Sequence, residues 1–160
     1  MVGMQRIRQS QLGGPEVLVV EDVPDLAPGP GQVRIAVEVA GVHLVDTSIR
    51  SGEWGDVVLP MTPGREVAGR VDLVGDGVEP DWLGRRVVAH LGLASGGYAE
   101  QVVTDVDRLH VIPEVLTADT AVAAIGTGRT ATGILDQVDL GPDDVVVVTA
   151  ASGGLGSILV

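Results

Sequence analysis

Apolar and polar positions alternate through most of the first two thirds of the chain. Val33, Ile35, Val37 and Val39 interleave with Arg34, Ala36, Glu38 and Ala40, and this period of two predicts a half-buried strand over residues 32–42. Shorter runs predict strands at 7–11, 17–23, 65–74, 86–91, 98–103 and 108–111. Gly13-Gly14-Pro15, Pro28-Gly29-Pro30-Gly31 and Gly75-Asp76-Gly77 punctuate them as turns. Residues 45–50 read as one or two helical turns stopped by Ser51-Gly52, and 59–64 as a loop with Pro60 and Pro63. Roughly six to eight short strands in about 115 residues suit a small barrel or sandwich.

The texture changes after Pro113. Thr117 is a plausible N-cap for a helix containing Ala118, Ala121 and Ala124, and a second helix is predicted over 130–138. Val145-Val146-Val147-Val148 is an unbroken β-branched run, the pattern of a strand buried on both faces of a parallel sheet. It leads into Thr149-Ala150-Ala151-Ser152-Gly153-Gly154-Leu155-Gly156 and then an apolar helix start. Ala151, Gly153 and Gly156 occupy the three positions of a G-x-G-x-x-G turn. Such a turn lets backbone approach a pyrophosphate and lets the helix pack near its strand, with free N–H groups facing the phosphates. The plain alternative is a Gly-rich strand–helix turn without a ligand. An acidic ribose-binding residue belongs roughly 20 residues further on, beyond Val160. The chain therefore reads as the N-terminal half of a longer protein that cannot form a full cofactor site alone. A four-valine strand without sheet partners predicts dimerisation or poor solubility.

Composition narrows the function. A mean hydropathy of +0.34 argues against disorder. A net charge of -12 argues against nucleic-acid partners. There is no Cys, which removes disulfides, thiolate metal sites and Cys nucleophiles. All 10 basic residues are Arg, so Schiff-base chemistry is absent. No run reaches the ~18 apolar residues of a membrane span, and residues 1–11 alternate unlike a signal peptide; a cytoplasmic protein is expected. Trp54, Trp82 and Tyr98 are the only aromatics, so small aliphatics must build the core. Ser152 lacks the G-x-S-x-G setting of a hydrolase nucleophile.

Several motifs in order resemble the zinc-independent quinone oxidoreductases of the medium-chain dehydrogenase/reductase superfamily. They are Gly13-Gly14-Pro15-Glu16-Val17-Leu18, Ala40-Gly41-Val42-His43-Leu44-Val45-Asp46 and Arg50-Ser51-Gly52. Leu59-Pro60, Pro63-Gly64-Arg65-Glu66-Val67-Ala68-Gly69, Gly96-Gly97-Tyr98-Ala99-Glu100 and the loop at 149–156 complete the series. The resemblance implies an α+β to α/β architecture. A GroES-like β-barrel domain over residues 1–116 precedes connecting helices and the first strand and helix start of a Rossmann domain over 117–160. In the family a later segment completes the barrel.

In zinc-dependent members of the superfamily, the ligand positions align with His43, Arg65 and Gly126, with Glu66 beside them. Gly has no ligand atom and Arg does not coordinate, so fewer than the three protein ligands of a catalytic zinc remain. The resemblance then implies hydride transfer from NADPH, with NADH not excluded, to a quinone or an α,β-unsaturated carbonyl. His43, Asp46, Ser48 and Trp54 would line the cleft and Thr130 would lie near the nicotinamide. Ala151, Ser152, Gly153, Gly154, Leu155 and Gly156 would hold the cofactor, in a homodimer. His43 replaces the family's usual Asn, and a frequent aromatic is missing at Ser48. Plainer readings make His43 a packed loop histidine, Asp46 a helix N-terminal cap and Arg65 a solvated cation. Arg85-Arg86 suggests no function. The competing reading of the whole is a non-catalytic GroES-like module acting as a binding or interaction domain.

Overall fold

A computed structural model describes residues 3–92 and 95–160; Met1 and Val2, the start of the alternating N-terminal stretch, lie outside them. Strands β1 (Gly3–Gln9) and β2 (Leu18–Pro24) form an antiparallel hairpin, with Gln9 opposite Leu18. Strands β3 (Gln32–Ala40), β4 (Glu66–Val74), β5 (Arg86–His90), β6 (Gln101–Asp105) and β7 (Leu109–Val111) form one antiparallel sheet. Its order is β6-β3-β4-β5-β7. Helix α1 (Leu44–Ser51) follows β3, and α2 (Ala118–Leu135) crosses the sheet over β3, β4 and β5. A final turn, α3 (Gly156–Leu159), closes the chain.

Side-chain alternation divides the core into two layers. Val33, Ile35, Val67, Val71, Val87 and Ala89 point to one face and are almost fully buried. Ala68 and Val88, their neighbours in sequence, point to the other face and pack under Ala118, Ala121 and Val122 of α2. Burying one such Val side chain contributes about 1.5–3 kcal/mol, so a core without Phe is built from number, not size. At the middle of the sheet β3 carries a bulge: Val37 pairs with Gly69, but Val39 pairs with Ala68.

The structure moves several predicted boundaries. The first strand is Gly3–Gln9, not 7–11, because the hairpin register places its turn over residues 10–17. The strand predicted over 98–103 begins at Gln101, since the residues before it tie the hairpin to the barrel. The Ile7 N–H donates to the Tyr98 carbonyl at 2.8 Å and the Glu100 N–H to that of Gln5 at 2.9 Å.

The two helices predicted after Thr117 are one. Thr117 Oγ1 accepts the Thr120 N–H at 3.4 Å as N-cap, and the helix continues through Gly126 and Gly128. The Thr130 and Thr132 hydroxyls donate to the carbonyls of those glycines at 3.1 and 3.0 Å. Residues 136–138 fall outside it.

The four-valine run is not paired into a sheet, and Val145 and Val147 are exposed. A strand needs a hydrogen-bonded neighbour, and among the described residues none lies beside it. Arg85 and Arg86 act locally. Arg85 stacks over the Trp82 ring at 5.3 Å, and Arg86 donates to the Leu116 carbonyl at 2.8 Å.

Candidate functional site

Two adjacent positions at the start of β4 organise the site. Arg65 immediately precedes the strand and its carbonyl accepts the Leu91 N–H at 2.7 Å. Glu66, the first residue of β4, pairs across the ladder with His90, the last residue of β5. Cross-strand partners share a face, so His90 is brought to the Glu66 carboxylate.

That carboxylate is buried, with its side chain 5% exposed. His43 Nε2 lies 2.5 Å from Glu66 Oε2, and His90 Nε2 lies 3.6 Å from Oε1. His90 Nδ1 accepts the Gly92 N–H at 2.9 Å. An accepting Nδ1 carries no proton, so the remaining proton of neutral His90 sits on Nε2 and faces Glu66.

Burial, followed by repulsion from Arg129, lowers the His90 pKa, against the pull of Glu66. The imidazole ordinarily titrates near 6.5. Below that value the unfolded chain binds more protons than the native one, so native stability falls with pH. We expect the urea midpoint to hold from about pH 8 down to about 6.5 and then drop, levelling below the depressed native pKa. The difference from His90→Gln isolates this contribution, since the variant lacks it. Equal pH slopes for the two proteins would contradict the assignment.

His43 is the N-cap of α1, and its backbone N–H donates to Asp46 Oδ2 at 2.8 Å. The Tyr98 hydroxyl donates to the same oxygen at 2.9 Å. Asp46 is thus three residues inside the helix, not the N-cap; it satisfies the backbone of the residue that is. Burial, and then the bond to Asp46, push the Tyr98 phenol well above its usual range, so Tyr98 stays a donor.

A cleft of about 330 Å³ opens beside this cluster, lined among others by Asp46, Trp54, Val57, Val58, Met61 and Arg65. The predicted site residues therefore divide. Asp46 and Trp54 share the cleft, whereas His43 faces Glu66. Ser48 lies on α1, outside the residues lining the cleft. Thr130 is exposed on α2, its hydroxyl committed to its own helix.

Gly153, Gly154, Leu155 and Gly156 line a separate trough of about 960 Å³ with the end of α2. There Gly156 packs closely against the loop's own backbone. A Cβ on Gly156 would stand 2.2 Å from the Ala150 carbonyl oxygen. Ala150 itself takes a left-handed φ of 52°.

Residues 29–114 match the alcohol dehydrogenase GroES-like domain. The chain belongs to that family. A quinone oxidoreductase of Sus scrofa is 38% identical over 157 residues, which is 96% of this chain and 47% of the relative. A quinone oxidoreductase structure from Pseudomonas syringae pv. Tomato DC3000 superposes with a TM-score of 0.85 at 34% identity, covering 98% of this chain and 48% of that one. That of Escherichia coli, solved in complex with NADPH, superposes with a TM-score of 0.81 at 30% identity, over 97% and 48%. The chain spans about half the length of the curated relatives it matches.

The GroES-like fold raises the question of catalytic zinc, and the donor set does not fit one. Glu66 is engaged by His43, Gly126 has no side chain, and Arg65 is a permanent cation. Among the described residues no three His, Cys, Asp or Glu side chains are placed to hold a metal ion. At the glycine loop, Gly156 lets α3 start directly against the Ala150 carbonyl.

Sequence reasoning missed His90 as a partner of Glu66 and read Arg65 as solvated. The first depends on a strand register that no local pattern reveals. The second is corrected by the structure: Arg65 is half-buried and its Nε has no hydrogen-bond partner among the described residues.

Proposed function

We propose that this chain carries the acceptor cleft and the start of the cofactor site of an NADPH-dependent, zinc-independent reductase. NADH is the alternative cofactor, and the acceptor is a quinone or an α,β-unsaturated carbonyl. The observation that carries the reading is the apolar cleft at Asp46, Trp54 and Arg65 in a chain similar to quinone oxidoreductases. The bound dihydronicotinamide supplies the hydride. Trp54 and the Val57, Val58 and Met61 wall offer apolar contact to a flat acceptor. Asp46, fixed by Tyr98 and the His43 backbone, shapes the floor of that cleft. His43 acts on the cleft through its backbone bond to Asp46, and Thr130 would stand toward the nicotinamide. Ala151, Ser152, Gly153, Gly154, Leu155 and Gly156 hold the pyrophosphate.

The same reading includes a cytoplasmic homodimer. No helix among the described residues is long and apolar enough to cross a membrane. The exposed Val145, Val147 and Val160 supply apolar surface for assembly, which light scattering measures.

The test is NADPH consumption by the whole protein with a naphthoquinone. We expect turnover that chelators leave unchanged, and no tight NADPH binding by these 160 residues alone. Metal-dependent oxidation of alcohols, or a micromolar dissociation constant for NADPH on these residues, would contradict the proposal.

A further inference from the structure

The cleft combines an apolar wall with an unusual set of charges. Asp46, Asp56 and Arg65 are its charged lining residues among those described. Asp46 is already engaged, because its Oδ2 takes both the Tyr98 hydroxyl and the His43 N–H. Arg65 is not engaged in the same way. It takes part in none of the ion pairs among the described residues. Its Nε–H is removed from solvent and has no acceptor among the described residues.

A buried donor without an acceptor costs about 1–3 kcal/mol, and more on a charged group. Nε itself is closed to the cleft, so a ligand there reaches the guanidinium only at its terminal N–H groups. Two carboxylates and one guanidinium make the lining net negative, so a carboxylate ligand is disfavoured and a neutral molecule with a polar oxygen is not.

We propose that Arg65 binds the carbonyl oxygen of a neutral, flat acceptor held against Trp54, and is the residue that selects carbonyl compounds for this cleft. The proposal rests on the reductase reading for its chemical consequence. When a hydride passes from a dihydronicotinamide to the acceptor, the electron pair leaves negative charge on that carbonyl oxygen. The nicotinamide is oxidised, and the oxyanion takes a proton from water. A guanidinium at the oxygen stabilises the charge as it develops.

The test is binding to the 160-residue chain, read by Trp54 fluorescence in a Trp82→Phe background. The probes are 1,4-naphthoquinone and naphthalene, which share a ring system and differ in the two carbonyl oxygens. The absence of Cys and Lys leaves no side-chain thiol or primary amine for the quinone to add to. Arg65→Met is expected to weaken naphthoquinone binding by roughly tenfold to a hundredfold, the worth of one charge-assisted hydrogen bond. Naphthalene binding should change by less than about twofold, and Arg65→Lys should lie between parent and Arg65→Met for the quinone.

Parallel losses for both probes, no loss for either, or no naphthoquinone binding by the parent chain would overturn the proposal. An unchanged urea midpoint in Arg65→Met keeps the comparison free of unfolding; if it shifts, Arg65→Lys against the parent carries the same comparison. If the whole protein reduces naphthoquinone but Arg65→Met binds it like the parent, the reductase reading stands and the Arg65 proposal falls. If Arg65 governs binding but no turnover occurs, the reverse holds.

Discussion

Gly69→Ala is expected to cost the chain at least about 3 kcal/mol, enough to unfold much of it at ambient temperature. In most strands alanine would be the better residue, since glycine there loses more entropy and packs nothing. Here the sign reverses. A Cβ on Gly69 would lie 2.0 Å from the Ala36 carbonyl oxygen, 2.9 Å from its carbonyl carbon and 3.0 Å from Val37 Cα. All three are backbone atoms of β3, so no rotamer change relieves the contact. Relief requires β3 and β4 to separate at the centre of the sheet, beside the bulge that shifts their register. Gly128→Ala is the control. Its Cβ meets nothing within 4 Å in the middle of α2, and helix propensity predicts a gain of up to about 1 kcal/mol. Urea unfolding measures both, and a Gly69→Ala chain as stable as its parent would contradict the packing described for the barrel.

Glu66→Ala is expected to lose about 2–4 kcal/mol and to disturb two histidines at once. The substitution strips the acceptor from His43 Nε2 and His90 Nε2 and leaves a void beneath α2. The void is real because the helix fits the carboxylate closely: a Cβ on Gly126 would stand 2.0 Å from Glu66 Oε1. Glu66→Gln, of equal size, should lose less, because the amide oxygen still accepts from one imidazole while its NH₂ opposes the other. The readout that separates this network from general loosening is imidazole nitrogen NMR. The chain has 3 histidines, and His110 is exposed and remote from Glu66 in the sheet. In Glu66→Gln the resonances of His43 and His90 should shift and those of His110 should not. Unchanged His43 and His90 resonances would show that the carboxylate does not bridge them.

Most of the barrel was legible in the sequence because its signals are local. The alternation of Val33 to Val39, the glycine turns and the Thr117 cap each act within a few residues, and each element appears near its predicted place. Where the structure departs from the local pattern, partners decide. Tyr98 to Glu100 looks like strand but is spent on the hairpin, and Val145 to Val148 looks like buried strand but has no neighbour among the described residues. Gly126 and Gly128 look like a helix break, yet packing of Ala121, Val122 and Ala131 carries α2 through them.

The site shows the same division. Asp46 and Trp54, named from the family resemblance, do line one cleft. The Glu66–His90 pair depends on which residues the β4–β5 register sets opposite each other, and the orphaned Nε of Arg65 depends on depth. Neither leaves a mark on the residues nearby in sequence.

The proposed reaction is hydride transfer to a carbonyl-conjugated acceptor without a metal. Its most direct test follows the hydride itself. The whole protein, treated with a chelator, is given an α,β-unsaturated ketone and NADPH deuterated at nicotinamide C4 on one face or the other. The expected product is a saturated ketone carrying deuterium at its β-carbon from one of the two cofactors and none from the other. Saturated product without deuterium from either, or product formed only when metal is restored, would contradict it.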